Sequence, residues 1–431
     1  MKTKLIAAFL MMVAVSGAFA AATVSDIAVR QRWPWSGKVD IDYTLTGEKG
    51  DVTFYATWDG QTTPVCLGTD FQVEAGQHRF EWDPSNKYAD KTLTGFTVTA
   101  SAGSDAEHKY LILDLASGSY SFLADVPEEG WTDEYKSTKM VFVRCPAGTY
   151  KHGLYHHRVN MKGDMVTAFE GKEAGFSYLY GQASGLREVT LTSDWYIGIF
   201  SMTTAQYELI QNGNTSTDYV GKGISYNDLR GSTTGTPAIN WPYTKYDVAP
   251  DSFVQKMRDL TGGVLLIDLP QEEQYEASLR CGKLTFWPNG GTKDDSLDVL
   301  TNYANKVVNW YYSNGGKTER QPVGMMMPND WGIYDLNGGE WSLDTAPRVA
   351  DRGYPSTTPS GGVDPVGSYI TIEEVADTEQ KIKRVVHGSG GYAKDVKLFE
   401  ILPNIRYLYG QWINTPRVRF AIHLKPLAFK D

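Results

Sequence analysis

The sequence predicts an α+β chain in which an all-β sandwich, residues 21–125, precedes a mixed unit of short strands, few helices and very long loops, residues 139–431. The first prediction rests on short runs of alternating apolar and polar residues, separated by Gly, Asp, Asn and Pro turns. The second rests on a change to the 3.6-residue period of amphipathic helices. Residues 126–138 are polar and contain Pro and Gly, so they are predicted to form a linker.

The first 20 residues have the pattern of a secretory signal peptide. A basic start is followed by an apolar run and by Ala18-Phe19-Ala20, so we expect cleavage after Ala20. The apolar run is too short to span a bilayer in the mature protein, and no later segment is apolar enough to do so. We therefore expect a bacterial protein that is secreted or periplasmic, with no membrane span after cleavage.

The composition excludes one class of partner and leaves several others open. The net charge is −10, with acidic residues spread along the chain, which argues against nucleic-acid binding because that needs a basic patch. The chain has 12 Trp and 26 Tyr. Large rings fill cores built from loops and short strands, and they also line carbohydrate or peptide sites.

The three cysteines, Cys66, Cys145 and Cys281, are widely spaced and fit no zinc pattern. An exported chain can form at most one internal bridge from three thiols, and Cys145–Cys281 is the candidate pair. The alternative, which the sequence favours, is that each cysteine is a small buried residue.

The N-terminal unit shows the β pattern most clearly in KVDIDYTLTG, where Val39, Ile41, Tyr43 and Leu45 alternate with polar residues. The preceding RQRWPWSG contains Trp33 and Trp35, which are predicted to fill the core rather than to form a ligand platform. We find no catalytic grouping in this unit, so it is predicted to be a structural or adhesion module.

The second unit alternates between strands and helices. A strand is predicted from Met140, residues 151–186 form a long loop, and a helix follows from Thr203, capped by Thr203 or Thr204. A second helix is predicted after Asp251 or Ser252 and a third after Pro270. Beyond Trp287 the chain is predicted to be mostly loop.

Six segments in order resemble the formylglycine-generating enzyme, or sulfatase-modifying-factor, domain. They are MVFVRCPAGTYKHG, REVTLTSDWYIGIFSMTTAQYELI, LPQEEQYEASLRCG, PNDWGIYDLNGGEW, RVVHGSGG and RVRFAI. In the third segment five positions coincide with the family pattern, namely Leu269, Pro270, Glu272, Glu276 and Arg280. The resemblance covers residues 139–431 and implies a fold like that of C-type lectins.

The resemblance also implies a calcium-supported loop at PNDWGIYDLNGGEW. By position, Asp335 supplies a side-chain oxygen, Gly338 and Glu340 supply carbonyls, and Asn305 corresponds to an asparagine of a second calcium site. The family's final carboxylate is replaced here by Ser342, so the calcium site is expected to be weakened. A glycine-rich turn without metal is the alternative. In both cases Trp331 and Trp341 are expected to brace the loop.

The family's oxidase chemistry depends on two cysteines that bind Cu(I), a soft ion that suits thiolates. In the family these cysteines precede the last strand, and the matching interval here, residues 392–418, contains neither Cys nor His. The resemblance therefore argues against copper, and we assign no catalytic residue. On the helix predicted after Pro270, Glu272, Glu276 and Arg280 are predicted to be a salt-bridged face.

Three functions remain. The first, which the lost thiolates favour, is an exported, non-catalytic binding or accessory protein for a peptide, glycan or partner protein. The second is a formylglycine-generating oxidase that converts a sulfatase cysteine. The third is an enzyme with different chemistry on the same fold, such as an iron-dependent one, for which HGLYHH offers His152, His156 and His157. For these histidines a solvated polar turn is favoured over a metal site.

Overall fold

The structure is a computed structural model. It describes residues 21–89, 91–153, 158–159, 165–166, 187–231, 248–285, 287–291, 295, 299, 302–303, 306–307, 322–335, 340–345, 362–365, 383–387, 406–410 and 417–424. The described chain is mostly sheet with a few short helices, as predicted for a mixed class. The sandwich packing and the lectin-like arrangement stay predictions. The predicted signal peptide lies outside the described residues.

The elements have the following bounds. The strands are β1 Thr23–Gln31, β2 Val39–Thr46, β3 Gly50–Thr57, β4 Val65–Val73, β5 Gly76–Trp82, β6 Thr97–Gly103, β7 Tyr110–Asp114, β8 Tyr120–Leu123, β9 Lys139–Cys145, β10 Gly148–His152, β11 Arg158–Val159, β12 Met165–Val166, β13 Arg187–Leu191, β14 Trp195–Gly198, β15 Ile267–Asp268, β16 Glu340–Thr345, β17 Gly362–Val363, β18 Lys383–His387, β19 Arg406–Gly410 and β20 Ala421–His423. The helices are α1 Ser85–Tyr88, α2 Thr204–Asn212, α3 Tyr226–Arg230, α4 Phe253–Leu260 and α5 Glu272–Arg280, with a 3₁₀ helix at Asp133–Lys136.

Two three-stranded antiparallel sheets form the N-terminal unit, with strand orders β1-β2-β5 and β4-β3-β6. The predicted alternation on β2 is confirmed, because Val39, Ile41, Tyr43 and Leu45 are all buried. Their side chains share one apolar cluster with residues of β3, such as Phe54. This common cluster is what holds the two sheets together.

The prediction that Trp33 and Trp35 fill this core is wrong. Their exposed fractions are 72% and 89%, since both lie in the turn between β1 and β2. The core positions are taken instead by Trp58 and Trp82, whose rings stack with Phe96. Two further indoles have no space in a cluster that is already filled by these rings.

A six-stranded sheet, in the order β15-β20-β14-β9-β7-β8, is the centre of the second unit. Strands β7 and β8 were assigned to the sandwich by the predicted boundary at residue 125. They belong to this central sheet, because β7 pairs with β9 and buries Leu111 and Leu113 in its core. The predicted linker is also packed, since Trp131 and Tyr135 lie against the apolar cluster on the same sheet.

Helix ends follow the local sequence. Thr203 caps α2 as predicted, accepting from the Gln206 N–H while the Gln206 side chain accepts from the Thr203 N–H. Ser252 caps α4 by a single hydrogen bond, its hydroxyl oxygen accepting from the N–H of Gln255. The short α3, capped by Ser225, was not predicted.

Beyond Trp287, where the sequence predicts mostly loop, the described residues include short strands. Strands β16, β18 and β19 form a three-stranded antiparallel sheet. These strands are short and separated by many Gly and Pro residues, so their period could not be recognised from the sequence. In the part of the chain that the structure describes, no helix combines the length and hydropathy needed to cross a bilayer.

Arg144 on β9 joins the two units through buried ion pairs. Its Nη1 donates to Asp51 Oδ2 of β3 at 2.6 Å, and its Nε donates to Asp194 Oδ2 at 2.7 Å. Its Nη2 lies 2.7 Å from Asp105 Oδ1, an ion pair without the angle of a hydrogen bond. Burial by itself raises the pKa of Asp51, but the hydrogen bond with His108 and the charge of Arg144 outweigh it and lower that pKa.

Replacing Arg144 by Met should lower the free energy of unfolding by about 3–5 kcal/mol, because it removes the arginine charge from the buried carboxylates of Asp51 and Asp194. Denaturant unfolding measures this change. The matched control is Arg79→Met, which removes a half-exposed arginine from its pair with Asp42 and should cost much less, because solvent screens that pair. Equal losses in the two variants would contradict the role assigned to Arg144.

Candidate functional site

Helix α5 is buried along all nine of its residues, although Glu272, Glu273, Glu276 and Arg280 carry charge. Its first turn is closed by Gln274 Oε1, which accepts from the N–H of Gln271 at 3.0 Å. A buried charge is costly unless it is paired and hydrogen-bonded. The contacts of this helix therefore decide what the centre of the second unit can do.

One face of α5 forms an ionic cluster with strands β10 and β13. Glu273, Glu276 and Arg280 follow one another at spacings of three and four residues, so they share this face. His152 Nδ1 lies 2.7 Å from Glu273 Oε2, and Arg187 Nη2 donates to the same oxygen at 2.7 Å. The cluster joins a helix to two strands that precede it in the chain.

Glu276 is hydrogen-bonded both to a side chain of its own helix and to the backbone that follows β10. Its Oε1 accepts from Arg280 Nε at 2.8 Å and from the N–H of Gly153 at 2.7 Å. Burial by itself raises the pKa of Glu276, but the charges of Arg280, His152 and Arg187 outweigh it and lower that pKa to about 2. The carboxylate is therefore ionised throughout the physiological range.

The donor set His152, Glu273 and Glu276 is of a kind that can hold a transition metal, with one imidazole and two carboxylates close together. The surroundings do not fit a metal. Arg187 Nη2 lies 2.7 Å from Glu273 Oε2 and 3.6 Å from Glu276 Oε2, so a guanidinium already occupies the position where a cation would lie. Arg280 adds a second positive charge beside the two carboxylates, through its ion pair with Glu276.

The opposite side of α5 brings two thiols to Ser278. Cys145 Sγ lies 3.5 Å from Ser278 Oγ, and Cys281 Sγ donates to the Ser278 carbonyl oxygen at 3.7 Å. The indole N–H of Trp195 also donates to Ser278 Oγ, at 3.0 Å. No disulfide joins Cys145 and Cys281, since all three cysteines are free, so the candidate bridge is not formed.

Burial keeps these thiols protonated. It raises the pKa of Cys145 well above its ordinary value and the pKa of Cys281 to about 12. Burial likewise raises the pKa of Cys66. Because the thiolate is the reactive and metal-binding form, none of the three resembles an activated cysteine.

The segment Pro328 to Asp335 is fixed to α5 by Asn329. The Asn329 side-chain amide donates to the carbonyls of Ser278 and Leu279 at 2.7 and 3.2 Å, while its oxygen accepts from the N–H groups of Trp331 and Ile333. Asn329 thus satisfies carbonyls at the end of the helix and shapes the loop at the same time.

Trp331 packs edge to face with the rings of Tyr150 and Trp195, at centroid distances of 6.2 and 6.3 Å. The expected bracing of the loop by Trp331 agrees with these contacts. The Trp341 side chain lies outside what the structure describes.

Asp335 is fully buried and uses both carboxylate oxygens within the protein. Oδ1 accepts from the N–H groups of Met325 and Met326 at 3.1 and 3.0 Å, and Oδ2 accepts from the N–H of Gly324. Burial raises the pKa of Asp335, and the backbone donors and the nearby Arg417 and Arg419 only partly offset it. The carboxylate therefore organises a turn by accepting from three backbone N–H groups.

Of the other residues predicted to bind calcium, the structure describes the backbone of Glu340. Gly338 and Asn305 lie outside the described residues. The backbone of Glu340 begins β16 and pairs with His387. The calcium site stays a prediction.

The prediction that His152 lies in a solvated turn is wrong, because β10 carries it into the interior, where it is fully buried. His156 and His157 lie outside the described residues. The salt-bridged face on α5 is present through Glu276 and Arg280, but its further members are Glu273, His152 and Arg187. In the sequence, the cluster was indicated only by the many charged residues of the helix that follows Leu269-Pro270.

Comparison with known proteins identifies the family to which the second unit is similar. The family model "Sulfatase-modifying factor enzyme 1-like domain" matches residues 128–401, well over half of the chain. A search of curated proteins finds no match. Among solved structures, PvdO from Pseudomonas aeruginosa is similar at 18% identity and a TM-score of 0.37, over 68% of this chain and 96% of that chain. At that TM-score the likeness supports no conclusion about function.

Replacing Glu276 by Gln should lower the free energy of unfolding at pH 7 by about 3–5 kcal/mol, because Arg280 and Arg187 lose a buried carboxylate. The pKa of Glu276 is lowered in the folded state, so its contribution is full above its ordinary pKa and is lost as pH falls towards about 2. Denaturant unfolding of both proteins across this acid range should therefore show a shrinking difference.

The matched control is Glu134→Gln, which removes an exposed partner of Lys139 and should change stability by less than about 1 kcal/mol. A constant difference between Glu276→Gln and the parent at every pH would show that the loss is steric rather than electrostatic.

Replacing Asp335 by Asn should destabilise the protein by about 1–3 kcal/mol, because one amide oxygen cannot accept from all three backbone N–H groups. Addition of ~1 mM calcium should stabilise the parent by less than about 0.5 kcal/mol, as expected for a dissociation constant near or above that concentration. Thermal unfolding with and without calcium measures both effects. A calcium-dependent gain of several degrees that Asp335→Asn abolishes would contradict the metal-free role.

Proposed function

The chain belongs to the sulfatase-modifying factor enzyme 1-like family, and from this premise we propose that it is an exported, non-catalytic binding or accessory protein. Its ligand would be a peptide, a glycan or a partner protein. In this proposal the second unit has the lectin-like arrangement of the family, and the N-terminal sheets form a sandwich that presents it outside the cytoplasm.

The observation that carries the proposal is the state of the thiols. The chain has three cysteines and none in residues 392–418, where the resemblance places the copper ligands. Cys145, Cys281 and Cys66 are all free and have raised pKa values. A family that oxidises cysteine with Cu(I) needs a pair of accessible thiolates, and a buried protonated thiol is a poor substitute.

The hydrogen bonds that hold the loop of residues 328–335 support a binding role. Asn329 and Asp335 hold the loop by hydrogen bonds to backbone groups. Arg419 donates to the carbonyls of Gly198 and Tyr334 at 2.8 and 2.9 Å, which ties the last strand to the loop. A rigid scaffold of this kind can present surface loops for recognition without any reactive group.

The alternative is a formylglycine-generating oxidase, and one observation favours it. Cys145 and Cys281 both contact Ser278, so two thiols lie around one residue although they are distant in the sequence. An oxidase that used them would have to place its copper at a position different from the one the family resemblance implies.

We expect anaerobic Cu(I) titration against a competing chelator to give no tight stoichiometric binding, and incubation with a cysteine-containing sulfatase peptide to give no aldehyde by mass spectrometry. The physical reason is the cost of ionising two buried thiols. Cys145→Ser and Cys281→Ser variants identify the site if copper binds. One tight equivalent of copper that either variant removes, together with peptide oxidation, would establish the oxidase instead.

A further inference from the structure

The turn of residues 32–38, called here the tryptophan turn, projects two indoles from the N-terminal unit. Trp33 and Trp35 have exposed fractions of 72% and 89%, the largest exposures of any large apolar side chain in the described chain. Val29, on the adjoining strand β1, is 44% exposed. Neighbouring exposed rings differ from single surface apolar residues, which are common, and they mark a contact site.

The backbone of the tryptophan turn is closed by its own hydrogen bonds. The Arg32 N–H donates to the Lys38 carbonyl at 2.9 Å, and the Trp35 N–H donates to the Arg32 carbonyl at 3.0 Å. The turn therefore presents both indoles on a fixed backbone. A ligand that contacts them therefore binds with little loss of backbone conformational entropy.

Each of the four cations below the tryptophan turn already has a carboxylate partner. Arg32 pairs with Asp40 and Glu81 at 2.6 Å each. The remaining pairs are Arg30 with Asp40 at 3.0 Å, Lys38 with Glu81 at 2.5 Å and Arg79 with Asp42 at 2.5 Å. An anionic membrane or a nucleic acid is recognised by free cations, so this surface does not suit either partner.

The apolar area is also too small for a stable protein interface. Two indoles offer at most about 300–500 Å², whereas a standard protein interface buries about 800 Å² on each partner. The surrounding residues are charged, and the core of a protein interface is depleted of charge. A second copy of the chain or a folded partner is therefore a poor match for the tryptophan turn alone.

We propose that the tryptophan turn binds a neutral polysaccharide. The flat faces of Trp33 and Trp35 would pack against the C–H faces of pyranose rings, which are apolar and similar in size to an indole. The half-exposed edges of paired side chains such as Arg79 and Asp42 would exchange hydrogen bonds with sugar hydroxyls without requiring a charged ligand. This site lies outside residues 128–401, so the inference goes beyond the proposed function of the second unit.

The test is affinity electrophoresis and pull-down of the full mature chain with neutral polysaccharides: cellulose, chitin, xylan, mannan and mixed-linkage glucan. The double variant Trp33→Ala/Trp35→Ala should lose about tenfold or more in affinity, and Trp33→Phe/Trp35→Phe should retain part of it. The control is Met325→Ala/Met327→Ala, which removes two exposed apolar side chains elsewhere. Circular dichroism and thermal unfolding confirm that each variant is folded.

Binding to at least one polysaccharide that is lost in the Ala variant and kept in the Met control supports the proposal. Binding that is unchanged in the Ala variant, or no binding to any of the five, overturns it. Tryptophan-dependent binding to zwitterionic phosphatidylcholine vesicles, or tryptophan-dependent dimerisation in sedimentation, without polysaccharide binding also overturns it. None of these outcomes depends on copper or on sulfatase peptides, so failure here and failure of the proposed function are distinguishable.

Discussion

The burial of α5 is the constraint on which the second unit depends. A helix with four charged residues can occupy an interior position only if other elements bring compensating groups to it. Arg187 from β13, His152 from β10 and Asn329 from the following loop all come to this helix. Each of these elements is thereby fixed relative to the others, and the loop at Trp331 takes its position from the end of the helix.

The two units of the chain are joined by polar contacts as well as by apolar ones. Arg144 extends from the central sheet to Asp51 of the N-terminal sheets, and Tyr120 on β8 hydrogen-bonds to Thr69 on β4 at 2.8 Å. Because a buried arginine without its carboxylates would be strongly destabilising, the junction fixes how the N-terminal unit is attached. A binding surface on the tryptophan turn would thus be carried by a scaffold that is continuous with the second unit.

The loop that resembles a calcium site in the family has an internal hydrogen-bond role here. Asp335 accepts from three backbone N–H groups, and Asn329 serves both the helix and the loop. Both residues therefore contribute to the folded structure through hydrogen bonds, whatever chemistry the fold carries. The hydrogen bonds of Asn329 and Asp335 do not depend on the thiols, so they form although burial keeps Cys145 and Cys281 protonated.

The sequence by itself determined the elements whose signals are local. The alternation on β2, the cap at Thr203, the helix after Pro270 and the order of family segments could all be read without a structure, because each depends on residues a few positions apart. The pair Glu276 and Arg280 was also readable, since one helical turn sets their distance.

Only the tertiary structure decided which distant residues meet and which remain outside. His152 and Arg187 meet Glu273 across more than 80 positions, the thiols of Cys145 and Cys281 meet at Ser278, and β7 leaves the predicted sandwich to pair with β9. Trp33 and Trp35 were assigned to the core because tryptophan is commonly buried, but Trp58 and Trp82 had filled it. Competition for a limited interior is a property of the whole packed chain, so no local pattern can settle it.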